Sequence, residues 1–312
     1  MNTTDFLKWP EKMLHAVVLL TLGGLAAADF NTELHAKYLT MPKSSFIEFF
    51  NAQNYSWKIA EYDNTEKKFT ACARFDKASL ENLPLSTPNV EAIDLPDKFD
   101  AREQWPQCET IKEIYDQGAC GSCWAFGTAT TASDRTCIHK DIHVRLSEQD
   151  LECLNTKVCE GGWPEKAFDF WQEKGLVTQE CKPYNIPELE KNKCVTECVN
   201  TAMNYKDNKH FAENIYKLTN NSDEIKADLV KNGPMQAGFT VFEDFHMYTS
   251  GIYVHTFGAK VGRHSVRIIG YGIEDGVEYW LVANSWGSIW GENGLFRVKS
   301  INAIYLKTVI IF

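Results

Sequence analysis

The chain has 312 residues, of which 44% are hydrophobic and 24% are charged, and its formal charge is −10 at pH 7. This composition is typical of a globular protein with one large domain or two small ones. The acidic balance and the absence of a basic stripe argue against a nucleic-acid partner, because phosphates need cations to neutralise them.

Residues 1–28 are predicted to be a signal peptide with a polar lead-in. The segment KMLHAVVLLTLGGLAAADF begins at Lys12, continues as an apolar run and has small residues that fit cleavage before Asp29. The starting methionine, Met1 or Met13, is left open. The run is too short to span a bilayer, so we expect no transmembrane anchor. The chain also contains ten cysteines, which favours an oxidising compartment.

Residues 29–94 differ in composition and sequence pattern from the rest of the chain. They contain one cysteine, Cys72, and a segment with helical spacing, SSFIEFFNAQ. They end in ENLPLSTPNVEAIDLP, which is typical of an exposed linker where proteolytic nicking concentrates.

Residues 95–312 are predicted to form an α+β protein with two lobes, because helical patterns come first and strand patterns second. Helical spacing is found in TATTASDRTCIHKDIHV and in EKAFDFWQEKG, which ends on Gly175 as a C-cap, and SEQDLECL begins with a capping pattern. After about residue 236 the strand-like runs are QAGFTVF, GIYVHTF, HSVRIIGYG, EYWLVANSW and GLFRVKS.

The segment DQGACGSCWAFG contains Cys120 and Cys123, for which four roles are considered. A zinc site is disfavoured because the sequence has no second C-x-x-C or H-x₃-H motif to complete it. A redox pair is disfavoured because no βαβ pattern surrounds the two cysteines. A structural disulfide suits Cys120. Cys123 stands where a glycine-rich turn meets a helix, whose dipole lowers a thiol pKa from about 8.5 and so favours a nucleophilic thiolate.

A nucleophilic cysteine needs an oxyanion donor and a base. Gln117 could aim its amide N–H at an oxyanion, and His264, 141 residues after Cys123, could be the base. Asn284 follows 20 residues later and could orient the imidazole. An isolated histidine on a strand is more often a packed core residue, but the combination favours catalysis.

CGSCW, with His264 and Asn284 at this spacing, resembles the signature of the papain family of cysteine proteases. Residues 95–127, LPDKFDAREQWPQCETIKEIYDQGACGSCWAFG, resemble the start of the mature enzymes in its cathepsin B branch. The similarity continues to about Val298 and, more loosely, back to NYSW and Cys72. It implies a papain-like fold with a propeptide (29–94), a mainly helical left lobe (about 108–211) and a mainly β, barrel-like right lobe (about 212–312). The active-site cleft would lie between the lobes, and the mature N-terminus would cross over.

The resemblance also implies roles for individual residues, with no metal and no cofactor. Cys123 would be the nucleophile, His264 the base, Asn284 its orienter and Gln117 the oxyanion donor, while Trp286 would shield the His–Asn hydrogen bond. The residues implied to contact substrate are Trp286, Gly121, Ser122, Trp124, Gly161, Gly162 and Arg263. The implied disulfides are Cys108–Cys137, Cys120–Cys159, Cys153–Cys194 and Cys181–Cys198, which leaves Cys72 unpaired in the propeptide.

The chain departs from cathepsin B in the insertion that presents a pair of histidines to a substrate's C-terminal carboxylate. Here CKPYNIPELEKNKC runs directly from Cys181 to Cys194, and no adjacent histidines occur. We therefore expect an open cleft and endopeptidase activity, with peptidyl-dipeptidase activity weak or lost. Lys182, Lys191 and Lys193 could attract a carboxylate, although exposed lysines usually form a solvated face.

Two further departures concern specificity. Arg263 directly precedes His264, and a fixed cation there should lower the imidazole pKa and could favour an acidic residue just after the scissile bond; alternatively, Arg263 points to solvent. The C-terminal segment lacks an acidic residue near Leu306 or Lys307, which predicts a hydrophobic preference two residues before the cut.

The sequence thus predicts a cysteine endopeptidase, made as a zymogen and carried to a lysosome-like or vacuole-like compartment or to the extracellular space. Asn54 and Asn220 lie in acceptor sequons for glycosylation. Expected partners are protein or peptide substrates, the chain's own propeptide and cystatin-like inhibitors, with a monomeric state. The alternatives are an acyl transferase of the same fold, which product analysis with an added amine would distinguish, and a non-catalytic binding homologue.

Overall fold

The computed structural model describes residues 31–62, 72–74 and 81–300, together with the backbone of 306–311. The predicted signal peptide and both candidate starting methionines lie outside these residues. The helices α1 to α7 are Thr32–Thr40, Lys43–Asn51, Ala101–Gln104, Cys123–Lys140, Pro164–Lys174, Ile186–Leu189 and Ser222–Asn232. The strands β1 to β9 are Trp57–Ile59, Phe99–Asp100, Tyr216–Lys217, Met235–Phe242, Tyr248–Tyr253, Lys260–Glu274, Val277–Ala283, Leu295–Lys299 and Leu306–Ile311.

The strands form one mixed sheet in the order β1-β5-β8-β7-β6-β4-β9-β3, with β2 added on β6. The neighbours are antiparallel except for β5 and β8, which run parallel. In the described part of the chain this path does not close on itself. The mixed α and β architecture is confirmed, and the lobe predicted to be barrel-like is an open sheet.

Helix α4 is the central element between the two lobes. Every side chain from Cys123 to Cys137 is buried, and the helix ends at Asp141 in the left-handed conformation. The amphipathic helix α5 begins with Pro164 in its first turn. Its C-cap is Gly175, as the sequence predicted, and the φ of 71° at this residue favours glycine. Helix α5 therefore corresponds to the predicted segment, whereas α4 begins before the predicted run 128–144 and ends four residues before its last residue, Val144.

Two buried ion pairs fasten α4 to its neighbours. Asp134 accepts from Arg267 of β6 at 2.7 Å, and Arg135 donates to Asp228 of α7 at 2.7 Å. Arg267 also donates to the backbone carbonyl of Thr110. Removing one partner of such a pair leaves an uncompensated buried charge, at a cost of about 3–5 kcal/mol. The Asp134–Arg267 pair fixes the helix that carries Cys123 against the strand that carries His264, and the Arg135–Asp228 pair fixes the same helix against α7.

The described part of residues 29–94, the predicted propeptide, packs into the hydrophobic core of the sheet. Its helices α1 and α2 bury Leu34, Phe46 and Phe50, and its strand β1 buries Trp57 and pairs with β5. Each fully buried apolar side chain of this kind contributes roughly 1.5–3 kcal/mol. The two helices and β1 are thus held on the sheet by hydrophobic contacts as well as by backbone pairing.

The predicted linker, residues 81–96, is less exposed than its composition indicates. Ser86 donates to the carbonyl of Lys217, Lys217 donates to that of Pro84, and Leu83 is buried. The prediction of a fully exposed linker is therefore wrong around residues 83–86, because these backbone groups pair with β3. A local composition cannot reveal a partner more than 130 residues away.

The structure contains each of the four disulfides that the resemblance implied, namely Cys108–Cys137, Cys120–Cys159, Cys153–Cys194 and Cys181–Cys198. Three of them join segments of the helical lobe around the cleft, and the first ties α4 to the turn before it. Bridges of this type typically contribute about 2–4 kcal/mol each. Within the described residues, no helix is long and apolar enough to cross a bilayer.

Candidate active site

Cys123 is the first residue of the 18-residue helix α4 and is fully buried. The helix N-terminus carries a partial positive charge, which stabilises a thiolate at this position. Gly121 leads into the helix, and its N–H donates to the carbonyl of Cys159 at 3.0 Å. A Cβ on Gly121 would collide with that carbonyl, so only glycine permits this turn.

His264 lies on β6 and is held by the segment after β7. Its Nε2 bonds to Oδ1 of Asn284 at 2.8 Å, and the Trp286 ring stacks on the imidazole with centroids 4.9 Å apart. Its other ring nitrogen, Nδ1, is buried and has no hydrogen-bond partner among the residues that the structure describes. The ring is thus fixed on one side and available for proton transfer on the other.

Burial lowers the pKa of His264 from 6.5 to about 4. The hydrogen bond to Asn284 opposes this shift, and the charge of His246 adds to it. The sequence attributed a lowered pKa to Arg263, but the main cause is desolvation and the contributing cation is His246. Arg263 itself is exposed, and its backbone carbonyl accepts from Ala73 of the propeptide.

Gln117 is buried, and hydrogen bonds hold its side chain at both ends. Its Nε2 donates to the carbonyl of Cys120 at 2.9 Å, and its Oε1 accepts from the Ser285 hydroxyl at 2.7 Å. The Tyr184 hydroxyl donates to its backbone carbonyl at 2.8 Å. These contacts hold the side-chain amide of Gln117 next to the backbone of Cys120, three residues before Cys123.

Gln236 of β4 joins the helix that carries Cys123 to the strand that carries His264. Its amide contacts the carbonyl of Trp124, the Thr128 hydroxyl and the Ser265 hydroxyl. A Cβ on Gly127 would stand 2.6 Å from the Gln236 nitrogen, so glycine is needed for this approach. The contact explains how residues 141 positions apart share one site.

Gly162 lies in the cleft wall with both backbone groups paired. Its N–H donates to the carbonyl of Cys72 and its carbonyl accepts from the N–H of Arg74. Gly161 has a φ of 93°, a conformation that favours glycine, and a Cβ on Gly162 would collide with the Trp124 ring. The pair therefore presents a bare backbone edge to an extended peptide.

Two residues predicted to contact substrate, Trp124 and Ser122, have fully buried side chains. Trp124 is fully buried beneath Gly162, and its indole N–H donates to the carbonyl of Val158. Ser122 is also buried, and its hydroxyl pairs with that of Tyr184 at 2.7 Å. Both side chains lie beneath the cleft, and the part of these two residues in substrate binding stays a prediction.

Lys182, predicted to be an exposed lysine, is only 4% exposed. Its ammonium pairs with Glu152 at 2.7 Å and with Asp150 at 3.3 Å. The prediction failed because both carboxylates lie about thirty positions upstream, in a separate 3₁₀ turn. Leu306 and Lys307 lie on β9, but their side chains are outside the described residues.

Cys72, predicted to be unpaired, is disulfide-bonded to Cys123, with their Cα atoms 6.3 Å apart. The reason is the path of residues 72–74, whose backbone bonds to Gly162 and Arg263 place this sulfur beside that of Cys123. The signal was present in the sequence, since four assigned pairs leave only these two of the ten cysteines. The sequence interpretation set each aside for a separate reason and so missed the pair.

Residues 95–309 match the profile described as papain family cysteine protease. The chain is 36% identical over 300 residues to "Cathepsin B-like cysteine proteinase 5" of Caenorhabditis elegans, covering 85% of this chain and 87% of that protein. It is 43% identical over 290 residues to "Cathepsin B-like cysteine proteinase 3" of the same organism, covering 83% and 78%. Among solved structures it is similar to "proCathepsin B S9 from Trypanosoma congolense", with a TM-score of 0.77, 30% identity, and 86% and 97% coverage.

Proposed function

The chain belongs to the papain family of cysteine proteases, and on this premise we propose that it is a cathepsin B-like endopeptidase made as a zymogen. The observation that carries this proposal is the position of residues 72–74. Cys72 is bonded to Cys123, while Ala73 donates to the carbonyl of Arg263, the residue before His264. Cys123 and His264 therefore border the same three residues of a peptide held in the cleft.

In the proposed mechanism the Cys123 thiolate attacks the scissile carbonyl carbon, and the tetrahedral oxyanion accepts from the Cys123 N–H and from Gln117. The C–N bond then breaks as His264 donates its proton to the departing amine. Water, deprotonated by His264, attacks the thioester and releases the acid. In the zymogen the Cys123 N–H points at the Cys72 sulfur at 3.3 Å, which supports this N–H as an oxyanion donor.

Asn284 holds the imidazole in the tautomer that this scheme needs. Its Oδ1 accepts from Nε2 of His264, so that the proton exchanged with the thiol and the amine is carried on Nδ1. Trp286 covers this bond and excludes water, which strengthens it. The same indole would border the leaving-group side of the cleft.

The proposal of endopeptidase activity rests on the segment between Cys181 and Cys194. It contains no histidine, and two of its three lysines are engaged with carboxylates of this chain. Lys182 pairs with Glu152 at 2.7 Å and Lys191 with Glu188 at 2.6 Å. Cations neutralised in this way attract a substrate carboxylate weakly, so recognition of a free C-terminus has little support.

We also propose passage through the secretory pathway to a lysosome-like or vacuole-like compartment or to the outside of the cell. The four bridges within residues 95–312 suit an oxidising compartment. Asn54 and Asn220, the sequon residues, are both exposed and so accessible to a glycosyl transferase. The proposed partners are peptide and protein substrates and the chain's own propeptide, with cystatin-like inhibitors and a monomeric state as further expectations.

Two quenched peptides of one sequence, one with a free C-terminal carboxylate and one amidated, distinguish the two peptidase activities. The processed protein is expected to cut both internally, with kcat/KM values that differ by less than about tenfold, or 1.4 kcal/mol of transition-state binding. Release of C-terminal dipeptides only from the free-carboxylate peptide contradicts the proposal.

Cys123→Ser protein is the blank for this assay. Lys193→Ala measures any contribution of the third lysine to carboxylate binding, and Lys191→Ala, two positions away and already paired with Glu188, is its matched control. We expect both variants to keep the same ratio of rates on the two peptides. A selective loss on the free-carboxylate peptide in Lys193→Ala would identify a carboxylate site.

A further inference from the structure

Three consecutive propeptide residues cross the cleft on backbone hydrogen bonds. The Cys72 carbonyl accepts from Gly162 at 3.3 Å, the Ala73 N–H donates to Arg263 at 3.0 Å, and the Arg74 N–H donates to Gly162 at 2.8 Å. Ala73 is buried, and Arg74 also donates from its guanidinium to the carbonyl of Glu160. The segment is anchored on both lobes, so the position of the Cys72 sulfur is specified by its neighbours.

That sulfur blocks the catalytic centre in two ways. It is bonded to Sγ of Cys123, and it accepts from the Cys123 N–H at 3.3 Å, where the oxyanion of a substrate would be held. The Cα separation of 6.3 Å lies within the range that disulfides span. Cys72 is half-buried whereas Cys123 is fully buried, so a soluble thiol reaches the pair from the Cys72 side.

We propose that the Cys72–Cys123 disulfide is a redox gate on activation, so that the zymogen needs a thiol reductant in addition to cleavage of its propeptide. This inference rests on the proposed function, because it assigns a regulatory role to the same nucleophile. Propeptides can block a cleft by occupancy alone, and release then requires only a cut. Here a cut chain stays covalently attached to its own nucleophile.

The gate closes when two thiols are oxidised in the secretory pathway. Cys72 and Cys123 lose two protons and two electrons to a small-molecule disulfide or a disulfide oxidoreductase, which becomes two thiols. It opens when a thiolate such as that of glutathione attacks the Cys72 sulfur and expels the Cys123 thiolate. A second thiolate then attacks the mixed disulfide, which frees the Cys72 thiolate and forms the oxidised small molecule.

The helix N-terminus favours opening in this direction. A thiol of lowered pKa is the better leaving group in exchange, and Cys123 stands at the first position of α4. The other eight cysteines are already paired with one another in four disulfides, so none of them has a free thiol that could exchange with Cys72 or Cys123. Reduction therefore frees the nucleophile in the ionised state that catalysis requires.

The test uses the full-length zymogen, purified without reductant and then cut by an added protease within residues 81–96. We expect the cut wild-type protein to be inactive and to retain its propeptide on a non-reducing gel. Dithiothreitol or reduced glutathione is expected to release the propeptide and to switch on peptide hydrolysis. Cys72→Ser protein is expected to become active on cleavage alone, without reductant.

Ala73→Ser is the matched control, because it alters the adjacent buried position but keeps the sulfur, and it is expected to retain the need for reductant. Peptide mapping of uncut wild-type protein checks the bond independently of any variant's folding and is expected to yield a Cys72 peptide linked to a Cys123 peptide. Absence of that linked peptide, or activity of cut wild-type protein without reductant, overturns the gate. If cut and reduced wild-type protein hydrolyses no peptide although the linked peptide was found, the proposed function has failed instead.

Discussion

Processed protein that carries Cys123→Ser is expected to hydrolyse peptides about 10⁴-fold more slowly than wild type or worse, as for other nucleophiles that act as one unit with a base. A serine hydroxyl has a far higher pKa than a thiol, and the N-terminus of α4 cannot ionise it. The Nδ1 atom of His264 would then face a neutral group with little nucleophilic character. The measurement is kcat/KM on a quenched peptide, after both proteins have been cut with an added protease and treated with dithiothreitol to release the propeptide.

The buried position of Cys123 makes a folding control necessary. Cysteine and serine have similar volumes, and the four remaining bridges do not involve this residue, so the variant should keep the wild-type thermal midpoint. Peptide binding, measured as Kd with a non-cleavable analogue, should also be retained. Activity within tenfold of wild type would remove Cys123 from the mechanism.

Acidification from pH 6.5 to 4 is expected to lower the free energy of unfolding of the zymogen, and His264 is expected to account for up to about 3 kcal/mol of the loss. Burial lowers the pKa of His264 to about 4, whereas the unfolded chain binds a proton at this residue near 6.5. Below pH 6.5 protons therefore bind preferentially to the unfolded state. The stabilisation is complete above pH 6.5 and declines until the pH has fallen past about 4.

Urea denaturation of the disulfide-intact zymogen measures this dependence, with His264→Gln for comparison because glutamine takes no proton. At pH 8, where His264 is neutral in both the folded and the unfolded state, the difference in free energy of unfolding between the two proteins gives the pH-independent effect of the substitution. That difference serves as the reference. We expect wild type to lose more stability than the variant between pH 6.5 and 4. His139, His210 and His246, whose pKa values burial also lowers, contribute with the same sign in both proteins. If the free energy of unfolding falls equally with pH in both proteins, protonation of His264 does not cause the acid destabilisation.

The low pKa of His264 is a property of the zymogen, in which Cys123 carries no charge. In the proposed mechanism reduction frees a Cys123 thiolate, and a negative charge close to His264 would favour the imidazolium. The base therefore becomes protonated only when the nucleophile is released.

The sequence predicts well those features that depend on local pattern. The periodicity of EKAFDFWQEKG and its Gly175 cap correspond to α5. Four of the five strand-like runs after residue 236 correspond to β4, β6, β7 and β8, whereas GIYVHTF overlaps β5 only at 251–253. Asn284 was inferred as the partner of His264, and the structure has the hydrogen bond. These features need only the spacing of side chains along one element, or a motif with a known geometry.

The features that sequence reasoning missed are contacts between distant segments. Lys182 is buried because Asp150 and Glu152 form a carboxylate cluster around it, which no local pattern reveals. Trp124 turns beneath Gly162, although its place beside Cys123 suggested a cleft-lining role. Cys72 meets Cys123 because backbone pairing across the cleft sets its position. In each case tertiary packing decides where the side chain goes.

Alkylation of the processed, reduced protein with iodoacetamide tests the activation of Cys123 by its surroundings most directly. The label is expected on Cys123 with a parallel loss of peptide hydrolysis, and the reaction should persist at about pH 5.5, where an ordinary thiol of pKa about 8.5 is almost wholly protonated. His264→Gln should slow labelling most at that pH, because the thiolate loses its counter-ion. Labelling of another residue, full activity after Cys123 is alkylated, or an alkylation rate that follows an ordinary thiol would contradict the assignment.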